Sequence, residues 1–359
     1  MERITGMGTR FAAALAVFLL GGVTGTASAR VSDASAIRGD DGQVMLHWTA
    51  KGAVDVLKAD AADAHIGAAT PVSMRDADGM AIVNAGPSER PYFLLRDTTD
   101  GSITRVAERL IPLQQGSNFR DIGGYEGAGG KHVRWGLIYR SGATPMLSAQ
   151  DLATVSVLHL KQLVDLRSDE ERVLAPTKID GVTYTAYGYS MQRIFEGMRG
   201  PAGTPQYGTA LYRGLPLLLA PQMKLLFAAL LSKQGPVEYN CSAGQDRTGF
   251  ATAMILSALG TPRDVIVRDY LLSPTYRRPQ WEMPPIDPAM FPDNPVAKVF
   301  AGNGAARQAQ PLVDGEGHAF LLGAFEEIDS KWGSPEGYLR QVVGLSSADI
   351  ASLRAAYLE

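Results

Sequence analysis

The stretch EYNCSAGQDRTGFATAMI, residues 238–255, contains the only cysteine in a chain of 359 residues. The residues that lead to Cys241, PVEYN, predict a short strand, and RTGFATAMILSAL predicts an apolar helix. Between them, Gly244 permits an unusual backbone conformation and the close approach of another group. The sequence therefore predicts a strand, a tight loop and a helix, with the cysteine at the start of the loop.

A loop of this kind is suited to bind an anion. The N–H groups of residues 242–246 can surround the anion, and the positive end of the helix dipole points toward it. The dipole and Arg247 together favour the thiolate form of Cys241, and the forked guanidinium can hold two phosphoryl oxygens. A hydroxyl at Thr248 can donate a hydrogen bond to the sulfur. The residues expected to bind substrate are Ser242, Ala243, Gly244, Gln245 and Thr248.

Other roles for a single cysteine explain the sequence less well. A thiol–disulfide oxidoreductase requires a second cysteine, and a papain-type protease requires a histidine partner in a different local setting. An inert buried thiol does not account for the spacing Cys-x5-Arg-Thr between a strand and a helix. The sequence therefore indicates phosphoryl transfer without a metal or another cofactor. The histidines show no metal-ligand spacing; they are His47, His65, His132, His159 and His318.

The stretch NCSAGQDRTG resembles the signature of the protein-tyrosine phosphatases. Further blocks occur in the order found in the bacterial atypical dual-specificity tyrosine phosphatases, a group with secreted members that act on phosphotyrosine, phosphoserine/threonine and phosphoinositides. The resemblance covers residues 111–359. The blocks are SNFRDIGGYEG (117–127), WGLIYRSGATPMLSAQDL (135–152), VDLRSDEER (164–172), VIVRDYLLS (265–273) and WGSPEGYLRQVVGLSSADIASLRAAYL (332–358).

The resemblance implies that Cys241 is the nucleophile and that Arg247 stabilises the transition state. Two aspartates are candidates for the general acid: Asp246 lies within the loop, and Asp165 ends a strand predicted to neighbour it. The assignment usual in this group favours Asp246. The alternative for Asp165 is a structural ion pair with Arg167.

Supporting residues and two departures from the family pattern also follow from the resemblance. Asn240 stands where the signature has histidine, so we expect weaker thiolate formation. Gln245 stands where the narrower group often has lysine, so we expect multiply phosphorylated inositides to bind less well than in relatives with lysine. The residues expected to brace the loop without contacting substrate are Asn118, Arg120, Asp121 and Asn240.

The N-terminal residues are typical of an export signal. Arg3 and Arg10 precede the apolar run at residues 11–20, and residues 27–29, Ala-Ser-Ala, have the pattern of a cleavage site. We predict a signal peptide over residues 1–29 and a periplasmic or secreted mature protein without a membrane span. A membrane anchor is the alternative, but the apolar run is shorter than the ~20 residues that cross a bilayer.

The remainder of the chain divides into two predicted domains. Residues 31–110 alternate apolar and polar side chains between Asp-Gly turns, which predicts a small β-sandwich that resembles a fibronectin type III or related immunoglobulin-like module. We expect this domain to be a spacer or to dock a surface partner. In residues 111–359 strands alternate with helices, which predicts an α/β domain, a mixed sheet flanked by helices.

The predicted function is that of an exported cysteine-dependent phosphatase acting on phosphotyrosine, with phosphoserine/threonine as further substrates. One alternative is a phosphatase for phosphoinositides or other small phosphate esters, and another is a catalytically impaired phosphate-binding module. A net charge of −3 argues against binding of nucleic acid. Two segments are candidates for the rim of the site: residues 187–200, whose aromatic side chains can stack on a phenyl ring, and residues 276–317, which form either a lid or a surface insertion.

Overall fold

A computed structural model describes residues 31–39, 41–86, 89–192, 208–302 and 308–359. The predicted signal peptide, residues 1–29, lies outside the described residues. The same holds for residues 193–200 of the first predicted rim segment and for residues 303–307 of the second.

Residues 32–107 form two antiparallel sheets that pack face to face, which confirms the predicted β-rich N-terminal region. Leu46 and Trp48 of one sheet share a buried core with Phe93 and Leu95 of the other. The first sheet, in the order β1-β2-β5, contains β1 (Ser32–Arg38), β2 (Gln43–Thr49) and β5 (Met80–Asn84). The second, in the order β4-β3-β6-β7, contains β3 (Val54–Ala59), β4 (Thr70–Asp76), β6 (Tyr92–Asp97) and β7 (Ile103–Ala107). We call these two sheets the sandwich.

The C-terminal part contains a mixed five-stranded sheet in the order β11-β10-β12-β9-β8. Its first four strands are parallel, and β8 is antiparallel to β9. Asn240, the last residue of the central strand, pairs in register with Asp165 and Ser141. The strand ends that precede the cysteine loop therefore meet at one edge of the sheet. The strands are β8 (Arg120–Asp121), β9 (Ile138–Ser141), β10 (Gln162–Asp165), β11 (Thr183–Ala186) and β12 (Val237–Asn240).

Helices cover both faces of this sheet, so the predicted α/β class is confirmed. Ile138 and Val164 belong to the larger apolar core, whereas their neighbours Tyr139 and Leu163 belong to a second core that contains Val155 of α1. Successive strand residues face opposite sides. The helices are α1 (Ala149–Ser156), α2 (Asp169–Leu174), α3 (Thr209–Leu218), α4 (Ala220–Ser232), α5 (Arg247–Ala258), α6 (Arg263–Leu271), α7 (Ser273–Tyr276), α8 (Pro295–Gly302), α9 (Leu321–Trp332), α10 (Pro335–Tyr338) and α11 (Ser347–Tyr357).

The apolar stretch that precedes β12, residues 211–235, contributes to two helices, α3 and α4. The axes of α3 and α4 differ by 63°, and the pair satisfies the length and composition of a membrane span only when joined. No single helix within the described ranges is long and apolar enough to cross a membrane. Leu215, Leu226 and Phe227 of the pair are buried in the larger core.

The sandwich and the C-terminal part share buried contacts. Trp135, which precedes β9, packs into the core of the sandwich. Arg90 of the sandwich donates to Asp121 over 2.6 Å, and the same carboxylate oxygen accepts the N–H of Gly136 at 2.7 Å. Asp121 thus joins the sandwich to the C-terminal sheet. The expectation that it braces the cysteine loop was wrong, because its partners lie at this boundary.

Candidate active site around Cys241

The loop that begins at Cys241 connects the central strand β12 to α5. The cysteine is 1% exposed. Gly244 has a φ of 66°, and a Cβ added there would lie 2.5 Å from the backbone nitrogen of Gly142. A side chain does not fit at this distance. Glycine therefore allows the loop to turn tightly against the segment that follows β9.

The carbonyl groups of the loop are held from behind. Asn118 Nδ2 donates to the carbonyl oxygen of Gly244 at 2.8 Å, and Arg140 Nη2 donates to the same oxygen at 2.7 Å. Arg120 in turn donates to Asn118 Oδ1 and to Asp269 Oδ1, the latter at 3.2 Å. Asn118 acts on the loop directly, whereas Arg120 acts through Asn118.

The N–H groups of the loop point the other way. Within the described ranges, none of the N–H groups of residues 242–247 donates to a backbone or side-chain acceptor. Since the peptide unit is planar and trans, a carbonyl held behind the loop directs the next N–H toward its inner side. The loop and the start of α5 therefore present a row of free donors of the kind that binds a phosphoryl group.

Arg247 is fixed beside this row by a buried carboxylate. Its Nη1 lies 2.6 Å from Glu171 Oε2 and its Nη2 lies 2.7 Å from Glu171 Oε1. Ser242 Oγ also donates to Glu171 Oε1, at 2.6 Å. Burial by itself raises the pKa of Glu171, but the charge and hydrogen bonds of Arg247 outweigh it and lower that pKa to about 2. Both partners are therefore charged at neutral pH.

Sequence reasoning missed Glu171 and the role of Tyr189. The hydroxyl of Tyr189 accepts from Arg247 Nη1 at 2.8 Å and donates to the carbonyl of Leu166 at 2.9 Å, so this buried ring orients Arg247. Glu171 could have been found from the capping box that begins at Ser168: a carboxylate held at the third position of α2 is rigid and close to the end of β10.

Asp246 lies at the start of α5 and is half-buried. Tyr212 donates to Asp246 Oδ1 at 2.6 Å, and Tyr270 donates to the Tyr212 hydroxyl at 2.7 Å. The other carboxylate oxygen has no donor in the part of the chain that the structure describes. Asp246 is thus held in one orientation with one oxygen free, as a proton donor to a leaving group must be.

Asp165 is placed differently. Its carboxylate accepts the N–H, Nε and Nη2 of Arg167, with the shortest contact at 2.6 Å, and the hydroxyl of Tyr184 at 2.9 Å. The residue is 1% exposed. A carboxylate engaged by four donors is a structural ion pair, the alternative that the sequence left open, so the geometry favours Asp246 as the acid.

The tyrosine phosphatase family profile matches residues 111–359, which contain every element of this site. The chain belongs to the tyrosine phosphatase family. It is therefore a protein-tyrosine phosphatase by family, and the site is that of a phosphoric monoester hydrolase.

Relatives of known name agree with this assignment. The phosphatase is 32% identical over 261 residues to a protein of Cupriavidus necator that is named as a tyrosine-protein phosphatase by inference. The match covers 67% of this chain and 86% of the relative. It is 30% identical over 275 residues to the triple specificity protein phosphatase PtpB of Mycobacterium tuberculosis, covering 67% of this chain and 96% of PtpB.

Solved structures give weaker matches. The crystal structure of a TpbA variant from P. aeruginosa in complex with pTyr is 18% identical, with a TM-score of 0.25, and the match covers 39% of this chain and 70% of TpbA. An Fn3-like protein from Clostridium thermocellum is 16% identical, with a TM-score of 0.18, over 21% of this chain and 84% of that protein.

The contacts of Thr248 and Asn240 complete the surroundings of the nucleophile. The Thr248 hydroxyl donates to the carbonyl of Ser141 at 3.5 Å, and among the described residues the structure gives it no contact with the sulfur. Asn240 Nδ2 donates to the carbonyl of Cys241 at 3.4 Å, while its buried Oδ1 has no partner in the described ranges.

Residues of the second predicted rim segment lie against the phosphatase site. Asn294 donates to the carbonyl of Glu170 at 3.1 Å. Val296 and Ala297 of α8 pack with Leu174 of α2. At the other end of the segment, Arg277 contacts Gln245 of the loop at 3.2 Å. Sequence reasoning missed Arg277, which brings a cation to the position where Gln245 had indicated the loss of one.

Proposed function

We propose that this protein is an exported phosphatase that hydrolyses phosphotyrosine, and phosphoserine/threonine as further substrates, through a cysteinyl-phosphate intermediate. The observation that supports the proposal most directly is the convergence of Cys241, the free N–H groups of residues 242–247 and the fixed guanidinium of Arg247. Phosphoryl transfer requires a nucleophile aligned with phosphorus, and it requires fixed positive charges and dipoles that stabilise the charge of the transition state.

In the first step the Cys241 thiolate attacks phosphorus, a P–S bond forms and the P–O bond to the leaving group breaks. The loop N–H groups and Arg247 stabilise the charge on the equatorial oxygens. Asp246 gives its proton to the leaving oxygen, which departs as a neutral phenol or alcohol.

In the second step water attacks the phosphorus of the cysteinyl phosphate. Asp246, now ionised, takes a proton from the water, the P–S bond breaks, and the thiolate of Cys241 returns as inorganic phosphate leaves. Since Thr248 is turned toward Ser141, the departing sulfur is stabilised by the loop N–H groups and by the helix dipole.

The burial of the sulfur favours an aromatic substrate. Cys241 is 1% exposed, and Glu171 of α2, Tyr189 and Arg277 contact residues of its loop or of the start of α5. A phosphate on a phenyl ring extends further from a peptide backbone than a phosphate on serine, so phosphotyrosine reaches the sulfur more easily. The relative PtpB, named for triple specificity, supports a wider substrate range.

The test is hydrolysis of p-nitrophenyl phosphate with chelator present, by the wild type beside Cys241→Ser and Asp246→Asn. We expect turnover that resists chelator, is abolished by Cys241→Ser and loses its basic limb with Asp246→Asn. Trapping of a radioactive phosphoenzyme from labelled substrate would identify the covalent intermediate.

A second function, a phosphate-binding module, follows from Asn240, whose amide oxygen has no partner among the described residues next to the nucleophile. Under this alternative the wild type binds vanadate but gives no phosphoenzyme and no turnover. Binding of vanadate without a phosphoenzyme and without turnover would contradict the proposed phosphatase function and support the phosphate-binding module.

Export is proposed from the pattern of residues 1–29. Mass spectrometry of the protein purified from cell fractions should give a mature chain that starts at Arg30 and is found in the periplasm or the medium. A full-length chain in the membrane or cytoplasmic fraction would contradict export.

A further inference from the structure

A cavity of about 810 Å³ lies between the sandwich and the C-terminal part. Its lining includes every residue of the ranges 31–39 and 104–110, which contain the edge strands β1 and β7. The C-terminal part contributes further lining residues, among them Trp135 and Tyr276. We call this space the boundary cavity. Residues 241–247 do not line it, so it is separate from the site around Cys241.

The size and the lining of the boundary cavity suit an elongated, partly apolar ligand. Its volume lies in the range of pockets that hold small organic molecules, about 300–1,000 Å³. Because a strand rises about 3.3 Å per residue, the lining along β1 extends over roughly 25 Å. Apolar surface remains open to a ligand at the half-buried lining residues Ala34, Leu110, Pro112, Leu272 and Tyr276.

Arg109 of the lining has a guanidinium that is held in place but only partly used. Its Cζ lies 3.9 Å from the centre of the Tyr125 ring and 5.0 Å from that of Trp135, and its Nη1 donates to the carbonyl of Asp121 at 3.0 Å. Within the described ranges, Nε and Nη2 of Arg109 have no acceptor and the side chain has no carboxylate partner. These two nitrogens form the fork that binds a carboxylate with two parallel hydrogen bonds.

A second cation of the same lining is also left without a carboxylate. Arg278 donates to two neutral backbone carbonyl oxygens, at 2.7 and 3.3 Å. The acidic residues of the lining do not balance these charges: Glu108 is paired with Arg38 at 2.7 Å, which leaves the exposed Asp33. The described residues around the boundary cavity therefore include two uncompensated cations and one uncompensated carboxylate, which favours a ligand with a negative charge.

We propose that the boundary cavity binds a free amphiphilic acid, with a carboxylate that pairs with Arg109 and Arg278 and an elongated apolar chain that covers the apolar lining. An inorganic anion would leave the apolar surface in contact with water, and a neutral apolar molecule would leave both arginines without an anion. The inference does not depend on the proposed phosphatase function, because no group of the cysteine loop takes part in it.

The experiment is calorimetry of the protein with decanoate, below the concentration at which decanoate forms micelles, and with decanol and decylamine. The three molecules have the same chain and differ in the charge of the head group. We expect decanoate to bind about tenfold more tightly than decanol, because its carboxylate forms charge-assisted hydrogen bonds, and decylamine to bind less tightly than decanol. Equal affinities for the three molecules would overturn the proposal.

Two variants connect the binding to the boundary cavity. Arg109→Gln should lower the affinity for decanoate by about tenfold and leave that for decanol unchanged. Arg278→Gln should act in the same direction, and it provides a second measurement if loss of the stacked Arg109 impairs folding. The matched control is Arg268→Gln on α6, whose side chain is 67% exposed and lies outside the lining. Unchanged affinity in both lining variants, or an equal loss in Arg268→Gln, would overturn the proposal.

Two further measurements exclude other places and sources for the ligand. An excess of inorganic phosphate, which competes for the cysteine loop, should leave decanoate bound, whereas displacement by phosphate would place decanoate at Cys241 and overturn the proposal. Phosphatidylcholine vesicles that contain phosphatidylglycerol present anionic head groups on a membrane. Sedimentation of the protein with these vesicles, together with no binding of free decanoate, would assign the two arginines to a lipid surface and would also overturn it.

Discussion

At the scale of single residues, the site depends on side chains that hold Arg247 and Asp246 in place. Glu171 and Tyr189 together hold Arg247, and Tyr212 holds Asp246. Each of these supporting groups is buried, so little water competes for its hydrogen bonds. Substitution of these supporting residues should lower the rate of catalysis, although the side chains that react with the substrate are unchanged.

Glu171→Gln should lower kcat/KM for p-nitrophenyl phosphate by about a hundredfold. The amide keeps the shape of the side chain but removes the charge that pairs with both guanidinium nitrogens of Arg247 at 2.6 and 2.7 Å. Steady-state kinetics check this, with Tyr189→Phe as the milder comparison because it removes one contact of Arg247. Near-normal activity in Glu171→Gln would show that the loop alone orients the arginine.

Tyr212→Phe should lower kcat for a phosphotyrosine peptide by about tenfold. The lost hydroxyl donates to Asp246 Oδ1 at 2.6 Å and holds the carboxyl group in one orientation, so without it the proposed acid is less well aligned with the leaving oxygen. The matched control is Tyr270→Phe, which leaves the donor of Asp246 in place and should lower kcat less. An unchanged kcat in Tyr212→Phe would argue against Asp246 as the acid.

At the scale of secondary-structure elements, strand β12 carries an unusual buried acid. Glu238 is 0% exposed; Ser141 of the neighbouring strand β9 donates to its Oε1 at 2.7 Å, and Oε2 has no partner among the described residues. Burial raises the pKa of Glu238 to about 8. The strand under the cysteine loop therefore carries a neutral carboxylic acid at pH 7.

This raised pKa makes stability depend on pH in a defined direction. Glu238 contributes its full stability below its unfolded pKa of about 4.3 and loses it as pH rises through about 8, because the native state must then hold a buried carboxylate. The free energy of unfolding of Glu238→Gln minus that of the wild type should be larger at about pH 9 than at about pH 6, by about 2–3 kcal/mol. Denaturant unfolding of both proteins at the two pH values measures it, and a constant difference would contradict the buried neutral acid.

At the scale of the whole molecule, the sandwich is built into the phosphatase rather than attached to it. Trp135 of the C-terminal part completes the core of the sandwich, and Arg90 of the sandwich is paired with Asp121 of β8. A separable spacer would not share a core. We infer that the sandwich supports the strand that carries Asp121 and, through it, the start of the C-terminal sheet.

Trp135→Ala should lower the free energy of unfolding by about 3–5 kcal/mol and separate one cooperative thermal transition into two. The removed indole leaves a cavity between the two parts of the molecule and breaks the hydrogen bond from Nε1 to the carbonyl of Arg105 at 3.1 Å. Calorimetry checks the number of transitions. Ile82→Ala on the exposed face of β5, where the side chain is 53% exposed, is the control and should leave a single transition.

Much of the fold could be predicted because its signals are local. The alternation within β2, the apolar helix after Arg247 and the break between α3 and α4 each depend on residues a few positions apart. Pro216 and Pro221 predict an interruption of the apolar stretch, and the two helices meet between these prolines, at Leu219.

What the sequence determined by itself is the reactive centre: Cys241 and Arg247 lie on one loop, and their separation along the chain places them around a single anion. The tertiary structure alone decided what surrounds it. Glu171, Tyr212 and Arg277 come from 32 to 76 residues away from the loop residues that they contact. Only the packing of α2, α3 and the segment after α7 around the loop brings them together. The choice between Asp165 and Asp246 is of the same kind. Both carboxylates are near the loop, and the number of donors around each, which depends on packing, decides which one is free to move a proton.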